Sequence, residues 1–131
     1  MRILLGIGNP GIKYNLTWHN VGFIILDRLA EQLNIHFKPS KHDYYFAEGS
    51  IQDNDFILIK PTTYVNNSGL AALQIIEKYP VQLEDFLVVC DDLNIPKGEI
   101  KIKQSGGDGG HNGLASIIYH LNSNKFPRLR F

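Results

Sequence analysis

Several polar residues stand just past apolar runs, where an α/β sheet places its ligand crevice. Asn9 follows the run Arg2–Gly8, and His19 closes the loop beyond it. Asn66 follows Asp55–Lys60. Asp91 and Asp92 end Phe86–Cys90, and His111-Asn112 follows a glycine-rich stretch. If these strand ends point one way, a single cleft holds His19, an aspartate and three amides. That set suits hydrolysis without a metal. A histidine can serve as general base toward water near neutral pH. A carboxylate on its other ring nitrogen fixes the tautomer, and asparagine amides can bind a peptide backbone and donate to a developing oxyanion.

Other chemistries fit less well. There is no Gly-x-Ser-x-Gly elbow, and Cys90 sits inside a strand, so a covalent nucleophile is not expected. No His-x-x-x-His or Cys-x-x-Cys pair occurs. His19, Asp91, Asp92 and His111 could ligate a metal, but asparagine-rich surroundings argue against it, and no metal is expected. Gly6-x-Gly8-x-x-Gly11 matches the dinucleotide fingerprint, yet Asn9-Pro10 stands where a helix should open, so no nucleotide cofactor is expected. Each residue also has a plainer reading. Asn9 could be a turn residue, Asn66 a helix cap, and Asp91-Asp92 an Asx turn.

The elements that must position these groups can be read from apolar spacing. Arg2–Gly8 and Phe86–Cys90 are almost wholly apolar and predict strands buried on both faces. Helical spacing predicts a helix over Val21–Leu33, with Asn20 as its cap. Phe46–Ile51 and Asp55–Lys60 read as a hairpin turning at Asp53-Asn54. A second helix is expected over Leu70–Tyr79 and a third over Leu114–Leu121. Ile100–Lys103 alternates as a half-exposed strand, and Arg128–Phe131 reads as a strand just beginning. The order predicts one α/β domain over 1–131, three layers deep, around a mixed, mostly parallel sheet.

Composition agrees. The 131 residues are 44% apolar and 20% charged, as in an ordinary globular domain. No apolar run approaches the ~20 residues of a membrane span, and residues 1–8 carry no secretory pattern. A single cysteine fits a reducing cytosol. Net charge is zero but uneven, with −4 over residues 1–96 and +4 over 97–131. The basic end hints at a polyanionic partner.

Four blocks carry a family resemblance. They are Gly6-Ile-Gly8-Asn9-Pro10-Gly11-Ile-Lys-Tyr14 with Thr17-Trp-His19-Asn20-Val-Gly22; Lys60-Pro61-Thr62-Thr63-Tyr64-Val65-Asn66-Asn67-Ser68-Gly69; Asp91-Asp92-Leu93 with Pro96-x-Gly98; and Gly106-Gly107-Asp-Gly109-Gly110-His111-Asn112-Gly113-Leu114. In these the chain resembles the bacterial peptidyl-tRNA hydrolases. The resemblance implies a cytoplasmic, metal-independent esterase that cuts the ester between a peptide and the 3′-terminal ribose of tRNA. It implies that His19 is the catalytic base, Asp91 its orienting carboxylate, and Asn9, Asn66 and Asn112 the amides that hold substrate. Tyr14 would line the site near the tRNA end. Lys103 and Arg130 would grip the 5′-phosphate.

Two departures stand out. Val65 replaces a common methionine, which should only alter a pocket wall. The family also continues past residue 131, so the chain is expected to lack a last C-terminal strand and helix. It should otherwise be a monomer, with self-association possible through the uncovered edge. A non-catalytic RNA-binding module on the same fold is the alternative reading.

Overall fold

The computed structural model describes residues 1–10, 20–92, 95–96 and 98–131. Its strands are β1 (Arg2–Gly6), β2 (Lys38–Pro39), β3 (Tyr44–Ile51), β4 (Asn54–Pro61), β5 (Phe86–Cys90), β6 (Lys101–Lys103) and β7 (Arg128–Arg130). Its helices are α1 (Val21–Gln32), α2 (Ser68–Lys78) and α3 (Asn112–Leu121). The strands form one sheet in the order β2-β3-β4-β1-β5-β7-β6. The central pairs β4–β1, β1–β5 and β5–β7 are parallel. The outer pairs β2–β3, β3–β4 and β6–β7 are antiparallel. The sheet is therefore mixed, and five of its seven strands run one way.

The apolar runs are explained by cover on both faces. Ile3 and Leu5 of β1, Ile57 and Ile59 of β4, and Phe86 and Val88 of β5 pack with Ala71, Ala72 and Ile75 of α2 and Leu114 and Ile117 of α3. The alternate residues Leu4, Leu58 and Val89 pack on the other face with Leu26 and Ala30 of α1. One helix on one face and two on the other give the expected three layers.

Two glycines set how closely α1 approaches the sheet. A Cβ on Gly22 would lie 2.5 Å from the Ile7 carbonyl oxygen and 2.6 Å from that of Val89. A Cβ on Gly6 would lie 2.7 Å from the Gly22 carbonyl oxygen. Neither neighbour is a flexible side chain, so only glycine lets the first turn of α1 sit against the end of β1.

Several boundaries differ from the sequence reading. The β3–β4 turn falls on Gln52-Asp53, one residue earlier than expected, with φ of 51° and 67°. Positive φ at both central residues is the turn that matches the twist of a two-residue hairpin. The short β2 went unseen because two residues carry no periodicity. Asn20 precedes α1 but makes no capping bond. The strand at Arg128 is paired on both sides, with β5 and β6, so it is not an edge. The sheet's edges are β2 and β6.

Gly22→Ala should lower stability by about 1–3 kcal/mol, the usual cost of forcing an extra carbon into a packed site. Urea unfolding of the two proteins measures it. An unchanged midpoint would mean that the helix can back away from β1 freely.

Candidate active site

Asn9 lies three residues past β1 and is fixed from two sides. Its backbone N–H donates to Asn20 Oδ1 at 2.8 Å, and Asn20 Nδ2 donates back to the Asn9 carbonyl at 2.9 Å. Asn20 is buried and spends its amide on this reciprocal pair, which is why it does not cap α1. The Asn9 side-chain oxygen accepts the Val65 N–H at 2.8 Å. Asn9 thus holds the 3-10 turn Val65–Asn67 in place beyond β4. That orientation turns its Nδ2 away from Val65 and leaves it a donor with no acceptor among the described residues.

The same turn continues into α2 and packs against α3. Asn66 on it is exposed, as is Asn112 at the first position of α3. Neither side-chain amide has a partner among the described residues. Gly113 lets the start of α3 close on the residue just past β1, since a Cβ there would meet Ile7 Cγ2 at 2.8 Å and His111 Cε1 at 3.0 Å.

Asp91 and Asp92 leave the end of β5 and are both buried. Asp91 Oδ1 lies 2.8 Å from His111 Nε2. The other ring nitrogen, Nδ1, accepts the N–H groups of Gly113 at 3.0 Å and Leu114 at 3.2 Å. Two donors on Nδ1 put the proton on Nε2, where it is donated to the Asp91 carboxylate. His111 is therefore the N-cap of α3, and this moves the helix start to Asn112, two residues before the expected one. The ring thus takes the second and third N–H groups of α3. Asn112, whose N–H the ring does not take, is left at the head of the helix with its side-chain amide exposed.

Asp92 makes an ion pair with Arg130, 3.1 Å from Oδ2 to Nη1. Arg130 is only 8% exposed, and its Nη2 reaches the Gly107 carbonyl at 3.4 Å. The guanidinium anticipated at a phosphate instead faces the protein. Lys103 is exposed on the edge strand β6. Its register partner is Arg128, whereas Lys101 stands opposite Arg130 at the carboxyl end of β7.

His19 and Tyr14 lie outside the described residues, and so does any pairing of His19 with Asp91. The candidate residues that are described do converge. Asn9, Asn66, Asp91 and Asn112 sit at the carboxyl ends of β1, β4 and β5 and at the start of α3. Among the described residues no group of acidic, histidine or cysteine side chains could hold a metal ion. Cys90 is fully buried, and burial pushes its thiol up to about 12, too high for a nucleophile.

The sequence profile of the peptidyl-tRNA hydrolases matches residues 3–131. The chain belongs to the peptidyl-tRNA hydrolase family. It is 45% identical to the peptidyl-tRNA hydrolase of Halalkalibacterium halodurans over 130 residues, covering 99% of this chain and 70% of that one. The corresponding protein of Chlorobaculum parvum is also 45% identical, with 99% and 68% covered. A crystal structure of peptidyl-tRNA hydrolase from Acinetobacter baumannii superposes with a TM-score of 0.95 at 37% identity, covering 99% of this chain and 66% of the other. The chain thus spans about two thirds of the length of the family members it matches.

Sequence reasoning missed two contributors. The sequence puts His111 near the crevice and offers it as a possible metal ligand, but nothing in the spacing shows that it faces a carboxylate 20 positions away. Asn20 was read as a cap. Replacing His111 with Ala leaves two helix N–H groups uncapped and the Asp91 oxygen without this N–H donor. His111→Ala should lose about 1–3 kcal/mol. His111→Asn, which can still cap, should recover part of that loss. Chemical denaturation of the three proteins decides, and equal stabilities would remove the ring's capping role.

Proposed function

We propose that the chain hydrolyses the ester joining a peptide to the 3′-terminal ribose of tRNA, and so recycles tRNA from peptidyl-tRNA. It would act in the cytoplasm as a monomer, without a metal or organic cofactor. The observation that carries this reading is the convergence of Asn9, Asn66, Asp91 and Asn112 at one end of the parallel strands, in a chain that belongs to this family.

In this reading His19 takes a proton from water as the water attacks the ester carbonyl. Asp91 supports the positive charge that the base acquires. Its buried carboxylate already holds the Nε2–H of His111, so it is fixed before substrate arrives. Asn66 and Asn112 are exposed amides with both donor and acceptor atoms, suited to the N–H and C=O of a peptide link. The asparagine donors also face the carbonyl oxygen as it gains charge. Tyr14 lines the side toward the tRNA. Lys103 supplies a phosphate contact from the edge of the sheet. Arg130, buried on Asp92, supports the loop beneath it.

N-acetylated aminoacyl-tRNA should be cleaved and aminoacyl-tRNA with a free α-amine spared. A charged ammonium at the two asparagines would lose water without gaining a carboxylate. His19→Ala should reduce cleavage of the acetylated substrate by about 10²–10⁴-fold while tRNA binding persists, the usual contribution of a general base. Equal cleavage of both substrates would defeat this account of selectivity. Binding of tRNA with no cleavage by the unmodified chain would turn the reading toward a non-catalytic RNA-binding module.

Lys103→Ala should weaken tRNA binding and reduce the slope of log affinity against log salt by about one. A titration over several salt concentrations measures this. An unchanged slope would place Lys103 off the path of the nucleic acid.

A further inference from the structure

The glycine-rich segment before α3, Gly106–Gly110, carries one side chain, that of Asp108, and its hydrogen bond stays within the segment. Of its residues, Gly106, Gly109 and Gly110 have φ of 141°, 59° and 82°, a region that costs other residues strain. Left to itself, such a backbone would sample many conformations. Yet it delivers His111 and Asn112 to the site. The anchor comes from below, from β7.

Arg128 is fully buried. Its Nη1 donates to the carbonyls of Gly106 at 2.9 Å and Gly107 at 3.0 Å. Its Nη2 donates to the carbonyls of Asn124 at 2.7 Å and Phe126 at 3.2 Å. The guanidinium lies 4.4 Å from the centre of the Phe126 ring. Arg130 adds a second donor to Gly107, and a Cβ on Gly109 would lie 2.9 Å from Arg130 Nη1. The Gly106 N–H closes the knot on the Asn124 carbonyl at 3.2 Å. One guanidinium thus ties the start of the loop to the segment leading into β7.

From this fixed start the chain is passed on by Asp108. Its side-chain oxygen accepts the Gly110 N–H at 2.8 Å, and its carbonyl accepts the His111 N–H at 2.9 Å. His111 then bridges Asp91 and the first turn of α3. The contacts are continuous from Arg128 to the imidazole and the asparagine beside it.

We propose that Arg128 is a positioning residue for hydrolysis, acting through the glycine loop to hold His111 on Asp91 and Asn112 over the cleft. This rests on the hydrolytic reading above. Lysine at this position keeps the charge but loses the fork that spans four carbonyls. Arg128→Lys should therefore lower kcat on N-acetylated aminoacyl-tRNA by about tenfold to a hundredfold, the effect expected of misplacement by a fraction of an ångström to an ångström. The salt slope should stay close to that of the parent, since no phosphate contact is touched. The ring nitrogens of His111 give an independent readout by ¹⁵N NMR. The parent should show Nε2 protonated and Nδ1 bare, and Arg128→Lys should show a mixture of tautomers.

Asp108→Ala, on the outer side of the loop, removes one link without touching the core. It should give the same two changes in smaller measure, and it carries the test if Arg128→Lys does not fold. Folded variants with unchanged kcat and a single His111 tautomer would overturn the proposal. So would a loss confined to KM or to the salt slope, which would make the arginine part of tRNA binding. If the parent itself fails to cleave the acetylated substrate, the hydrolytic reading falls. The NMR signature alone then decides whether Arg128 sets the ring.

Discussion

Strands that run in one direction must all end on one side of their sheet. β4, β1, β5 and β7 are adjacent and parallel, so their carboxyl ends share an edge. Everything in the candidate site hangs on that constraint. It brings together residues as far apart as Asn9, Asn66 and Asp91 without any of them being close in sequence. Helices α2 and α3 return on one face and begin near the same edge. The glycines are permissions granted to this arrangement. Gly6 and Gly22 allow α1 to close on β1, and Gly113 allows α3 to close on Ile7.

The cost of the arrangement is visible at β7. Two arginines two residues apart on one strand face the same side and are both buried. Burial, and then the like charge of Arg130, push Arg128 below the ordinary guanidinium value. Asp92 compensates Arg130 directly, and carbonyl oxygens compensate Arg128. The Nε atoms of both have no partner among the described residues. A buried charge is tolerated only where dipoles are dense. The glycine loop supplies them, since a backbone without side chains can bring its carbonyls close to a guanidinium from several directions.

What the sequence disclosed and what it concealed divide along a physical line. Apolar runs and helical spacing report burial on faces, and they located β1, β5, α1 and α2 to within a residue or two. The polar residues at strand ends follow from where those strands stop. Partnerships between polar groups have no period. Nothing in the order of residues says that the Asn20 amide turns back to Asn9, or that His111 caps its own helix while facing Asp91. The alternation of Arg128-Leu129-Arg130 along a strand puts both arginines on one face. It could not show that the glycine loop would cover that face.

Cys90 gives the molecule a gauge of its own. It sits at the last position of β5, between β1 and β7, with its thiol pushed up to about 12. At neutral pH an alkylating reagent finds almost no thiolate there and no route of approach. Modification then proceeds only through openings that part the centre of the sheet. The rate at which this single thiol is consumed, compared with that of a free thiol, measures how often the middle of the domain comes apart. The other strands and the helices need not be labelled at all.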